Sequence, residues 1–76
     1  MSFEKVKEII VETVSCSAED VTMEAKLMEN LGIDSLDAME LNMALEEAYG
    51  ISIPDEDLAS FVAVKDIVNY IDKKIA

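Results

Sequence analysis

Three stretches of this 76-residue chain set their apolar residues three and four apart, and none alternates apolar with polar as a half-buried strand would. That spacing restricts the chain to helices packed against one another. In the first stretch Phe3, Val6, Ile10 and Val14 share a face; Ser2 is a suitable N-cap, and Ser15-Cys16-Ser17 favours local backbone bonding over helix. In the last, Val64, Ile67, Val68, Ile71 and Ile75 form one stripe, with Lys73 and Lys74 favourably placed at the C-terminal end. Between them a helix runs from about Ser35 to Tyr49, capped by Asp34 and closed by Gly50. Its expected core face is Ala38, Leu41, Leu45, Ala48 and Tyr49, and roughly opposite lie Asp37, Glu40 and Glu47 with Leu36 and Met43 among them. Ile51-Ser52-Ile53 should be extended ahead of Pro54, which opens a short third helix through Asp55-Glu56-Asp57 toward Phe61.

Residues 17–33 show no sustained periodicity, and Asn30-Leu31-Gly32 is a stop signal. So long a connector is expected to be functional or disordered, and its spaced Val21, Leu27, Leu31 and Ile33 argue that it lies down on the core. The expected fold is all-α: a small four-helix bundle with three longer helices, one short third helix, and a long loop between helices one and two. Residues 1–76 read as a single domain. At this length the core is modest, and stability should be marginal.

Charge narrows the function. Seventeen acids against six basic residues give a net charge of −11, and the chain contains neither arginine nor histidine. Such a surface is a poor match for nucleic acid or an anionic membrane, which need clustered basic side chains, and self-repulsion favours a monomer. Basic proteins are the natural partners. The lone Cys16 offers no internal disulfide, no zinc site and no cysteine–histidine pair. A reducing compartment fits, so the expected location is cytoplasmic, and no apolar run is long enough to span a bilayer. The usual base, nucleophile and oxyanion partners are missing, so the chain is not expected to be an enzyme. Asp55-Glu56-Asp57 does not extend into a calcium loop, because Ser60 and Asp66 stand where Gly and Glu are required. No metal site is assigned.

Eight of the acids fall between Asp34 and Asp57, a window without a single lysine. This segregation points to an interface rather than a solubilising face alone, with Asp37, Glu40, Glu46, Glu47, Asp55 and Glu56 steering basic partners. Leu36 and Met43 would anchor it, joined by Ile53 unless that side chain is drawn into the core.

The segment Leu31-Gly32-Ile33-Asp34-Ser35-Leu36-Asp37, followed by Glu40-Leu41, by Ile53-Pro54-Asp55-Glu56 and by Val64, Asp66, Tyr70 and Ile71, resembles the acyl carrier protein family over essentially the whole chain. Asp-Ser-Leu alone would mark only a routine helix start; its surroundings give it weight. The resemblance implies that Ser35 receives 4′-phosphopantetheine, derived from coenzyme A, through a phosphodiester. It further implies a carrier that holds growing acyl chains as thioesters and delivers them to fatty acid synthesis enzymes, with a phosphopantetheinyl transferase and basic-patch synthesis enzymes as partners. Specialised carriers for polyketide, peptide or other acyl transfer share the motif, and a non-carrier acidic interaction module is the alternative of another class. The family's shelter for the acyl chain would fall at Val6, Leu27, Leu41, Leu45, Ile53, Phe61, Ile67 and Tyr70, where ordinary core packing is the default. Two positions depart from the family's common pattern: Asn42, where an apolar residue is frequent, and Cys16, where Gly often stands.

Overall fold

The stripe Val64, Ile67, Val68 and Ile71 is wholly buried and organises the bundle in the computed structural model, which describes residues 2–75. Four α-helices follow in order: α1 (Phe3–Thr13), α2 (Ser35–Tyr49), α3 (Asp55–Leu58) and α4 (Val64–Ile75), with one 3-10 turn at Ala18–Asp20 and no strand among the described residues. α1 packs on both α2 and α4, burying Val6 and Ile10. Burying so many branched side chains supplies the main drive for folding, roughly 1.5–3 kcal/mol for each fully buried one.

Local chemistry sets the helix ends. Asp34 caps α2 by accepting from the Asp37 N–H at 2.9 Å, and the Asp37 carboxylate reaches back toward the Asp34 N–H at 3.5 Å, completing a capping box. At the other end Gly50 takes φ +64°, a left-handed turn that a residue with a Cβ adopts only under strain. α4 begins with the Asp66 carboxylate accepting from the N–H groups of Val62 and Ala63, both at 3.0 Å; these bonds hold its pKa below the ordinary carboxylate value. Ser2 differs from expectation. Its hydroxyl makes no capping bond to α1 and instead donates to Asp72 Oδ1 at 2.5 Å, tying the start of α1 to the last turns of α4.

The connector lies on the core, as its apolar spacing required: Val21, Ala25, Leu27, Leu31 and Ile33 are all buried. Backbone bonds hold it there. Leu27 N–H donates to Val62 C=O, and the N–H groups of Val64 and Lys65 donate back to the Ala25 and Met23 carbonyls, so residues 23–27 run beside the approach to α4 as a single bridged pair.

Some expectations for buried faces are corrected. Ala48, expected on the core face of α2, is exposed, while Asn42, at the edge of that face, is buried beside Leu41 and Leu45. A side chain at 100° steps can fall on either edge of a stripe, and the neighbouring helix decides which edge is covered. Ile75 is half exposed because α4 runs past the end of the core. α3 stops at Leu58, and the chain reaches Phe61 through turns held by Ser60 N–H to Asp57 C=O and Phe61 N–H to Leu58 C=O.

Candidate functional site

Ser35 is the first residue of α2 and is exposed. The first N–H groups of a helix have no intrahelical partner, and together with the helix dipole they favour negative charge at this end. The capping box takes the Asp37 and Asp34 N–H groups and fixes the direction in which α2 begins.

Beside Ser35 opens a cleft of about 380 Å³ between α2, the connector and the α3–α4 side of the bundle. Of the residues expected to shelter a chain, Leu27, Leu41, Leu45, Phe61 and Ile67 line it. Val6, Ile53 and Tyr70 do not. Val6 is fully buried on α1, and Ile53 is only 3% exposed beneath Glu46 and Asn42. Tyr70 stands behind the wall: its ring meets Phe61 edge to face, with centroids 5.3 Å apart, and its hydroxyl donates to Asp57 Oδ2 at 2.7 Å. That hydrogen bond is the first cause of a raised phenol pKa. The walls also include Met28, Ile33, Ala38, Met39, Leu58 and Ala59, which were not among the residues expected to shelter a chain. Spacing along a single helix could suggest Ala38 and Met39, but Met28 and Ala59 join only through the path of the loops. Ser35 and Asp34 line the same cleft, which puts the exposed hydroxyl at its mouth.

On the outward side of α2, Leu36 and Met43 are 67% and 66% exposed, and Met39, which the sequence reading passed over, is 59% exposed. At α-helical spacing these three fall within a quarter turn of one another, forming an apolar strip. Glu40, Glu47, Asp55 and Glu56 are exposed, whereas Asp37 and Glu46 are partly buried. Ile53 is a correction here as well: it is core, because its backbone is drawn against α2, and it offers no apolar anchor. The two ion pairs among the described residues, Lys26–Glu29 and Lys65–Glu24, are exposed and use none of the acids between Asp34 and Asp57. Four acids of that segment do accept hydrogen bonds within the chain: Asp34 and Asp37 from each other's N–H groups, Glu46 from Ile53 and Asp57 from Tyr70.

Cys16 is partly buried; burial first, and then Asp20, pushes its thiol pKa up, the opposite of an activated thiolate. No group of three or more metal-ligating side chains comes together among the described residues, and no described helix is long and apolar enough to cross a membrane.

Residues 4–71 match the family model described as the phosphopantetheine attachment site. The chain is 51% identical over 71 residues to an acyl carrier protein of Campylobacter jejuni strain RM1221, covering 93% of this chain and 92% of that one. It is 47% identical over 70 residues to the acyl carrier protein of Campylobacter fetus, covering 92% and 91%. It is 46% identical over 71 residues to that of Campylobacter concisus, covering 93% and 92%. Matches of this extent leave almost no part of the bundle outside the similarity, and the chain belongs to the acyl carrier protein family.

Proposed function

We propose that Ser35 bears the 4′-phosphopantetheine arm and that the chain carries acyl groups on it to the enzymes of fatty acid synthesis. One observation carries the reading: an exposed serine hydroxyl stands both on the first turn of α2 and at the mouth of an apolar cleft. The residues present fit such a group. Unpaired N–H groups at the helix start favour a phosphodiester, and the cleft is lined largely by aliphatic side chains. Once bound, the arm supplies a terminal thiol on which acyl chains are held as thioesters. This chain's own residues hold, orient and present. The capping box fixes Ser35 in space, while Leu27, Leu41, Leu45 and Ile67 offer apolar surface that takes an alkyl chain out of water.

Delivery rests on the outward face of α2. Leu36, Met39 and Met43 give an apolar contact, and Asp37, Glu40, Glu46, Glu47, Asp55 and Glu56 give charge that steers a basic surface toward Ser35. The partners on this reading are a phosphopantetheinyl transferase and synthesis enzymes with basic patches, met by a monomer in the cytoplasm. Tethering raises the effective concentration of the cargo at each partner, so the chemistry can belong wholly to the partner and the carrier needs no catalytic group.

Intact mass tests the attachment. Protein purified from its own cells is expected to show a phosphopantetheine-sized increment that is absent from a Ser35→Ala variant made in the same way. Equal masses, even after treatment with a competent transferase and coenzyme A, would defeat the reading.

A further inference from the structure

The segment joining α2 to α3 hangs on one carboxylate. Ile53 lies outside the helices directly ahead of Pro54, so neither its N–H nor its C=O has an intrahelical partner. Its N–H donates to Glu46 Oε2 at 2.7 Å, a charge-assisted bond from backbone to side chain. Its C=O accepts only a long bond of 3.4 Å from Asn42 Nδ2, and the other end of that amide, Asn42 Oδ1, is buried with no donor. A buried acceptor without a partner is rare in a packed core and marks an arrangement that is not fully satisfied. Directly beyond this segment, Asp55, Leu58 and Ala59 wall the cleft beside Ser35. Glu46 itself is partly exposed on α2, the helix that carries the outward acids.

We infer that Glu46 is a positioning residue that couples the acidic face to the cleft: a cationic partner that draws its carboxylate outward releases Ile53 and loosens the wall formed by α3. The inference rests on the reading of the acidic face given above. An ammonium group and the Ile53 N–H compete for the same carboxylate. When the carboxylate leaves, the Ile53 N–H loses its acceptor and opens to water, so the segment is held less firmly. Coupling of this kind is reciprocal. A chain that fills the cleft and pushes α3 outward frees Glu46 for a partner, so the loaded and partner-bound states favour each other. Neither of the two ion pairs among the described residues uses Glu46, so the competing cation is taken to belong to another molecule.

Amide hydrogen exchange on the full chain tests this, with Ile10 and Ile71 reporting global stability. Glu46→Ala is expected to speed exchange at Ile53 by about tenfold or more while Ile10 and Ile71 keep their rates; Glu46→Gln, which retains an acceptor without the charge, should restore much of the protection. Saturating tetralysine should speed Ile53 and the α3 amides in the native protein but not in Glu46→Gln. Unchanged exchange at Ile53 in Glu46→Ala would overturn the hold itself. Retained protection with tetralysine bound, binding being shown by shifts of the α2 amides, would overturn the coupling, since a lysine would then be using Glu46 Oε1 alone. If tetralysine leaves the α2 amides unmoved, the reading of the acidic face fails and the coupling with it, and the Glu46→Ala rates decide separately whether Glu46 holds the segment.

Discussion

α4 and α2 are comparably rich in apolar residues, but they place them differently. α4 sends Val64, Ile67, Val68 and Ile71 into the core and is strongly amphipathic. α2 buries Leu41 and Leu45 on one side and exposes Leu36, Met39 and Met43 on the other, so its amphipathicity is weak. A helix that only holds a fold together gains by hiding its apolar side chains. One that leaves three of them in water, bordered by acids, has a second surface to satisfy. On the function proposed above, the difference separates a helix that holds the fold from one that also meets partners.

The sharpest way to break this comparison is to truncate one residue of each kind. Ile71→Ala should lose about 2–5 kcal/mol, a large part of the total stability of a domain this small, as read by urea unfolding. Met43→Ala should change stability by less than about 0.5 kcal/mol while weakening binding to a basic partner enzyme by about 1–2 kcal/mol. A Met43 variant that unfolds like Ile71→Ala would erase the distinction. Glu40→Lys should slow association with the same partner about tenfold at low salt and little at high salt; an unchanged rate at low salt would remove steering from the role of α2.

Smaller effects sharpen the contrast. Asn42→Val removes a buried acceptor without a donor and loses only a 3.4 Å bond, so stability should rise by about 1 kcal/mol in thermal unfolding. A fall would mean that the amide contributes more to the α2 side of the core than its bond length suggests. The last test concerns the start of α4. The folded pKa of Asp66 is lowered, chiefly by the Ala63 and Val62 N–H groups, so its contribution is fully present above the unfolded carboxylate value and is lost as pH falls through the folded one. Asp66→Asn should therefore be less stable than the native chain at neutral pH, with the gap closing in acid. A gap that persists at low pH would show that the carboxylate's charge is not what caps α4.

The bounds of α2 were readable because their causes are local: Asp34 with Asp37 at one end and Gly50 at the other act within a few residues. The same holds for the stripe on α4, whose period alone points it inward. Ser35 was legible through its motif, and its position on the first turn follows from the cap. The cleft was legible only in part. Leu41 and Leu45 follow from the face of α2, but Met28 and Ala59 reach the cleft from loops, and Tyr70 was misplaced because its turn toward Asp57 and Phe61 depends on where α3 ends. Ile53 illustrates the limit most clearly. As an isoleucine between acids it reads equally as anchor or core, and the bonds to Glu46 and from Asn42 hold it in the core.

By itself the sequence determined an all-α chain, the start and end of its main helices, the lone serine at the head of α2 and the segregation of acids around it, since propensity, capping and charge act over a few residues. Tertiary structure alone decided which edge of each stripe is covered, which loop residues complete the cleft and that Glu46 faces the Ile53 backbone. Those outcomes depend on contacts between residues distant in sequence, and only the packed chain brings them within hydrogen-bonding or van der Waals distance.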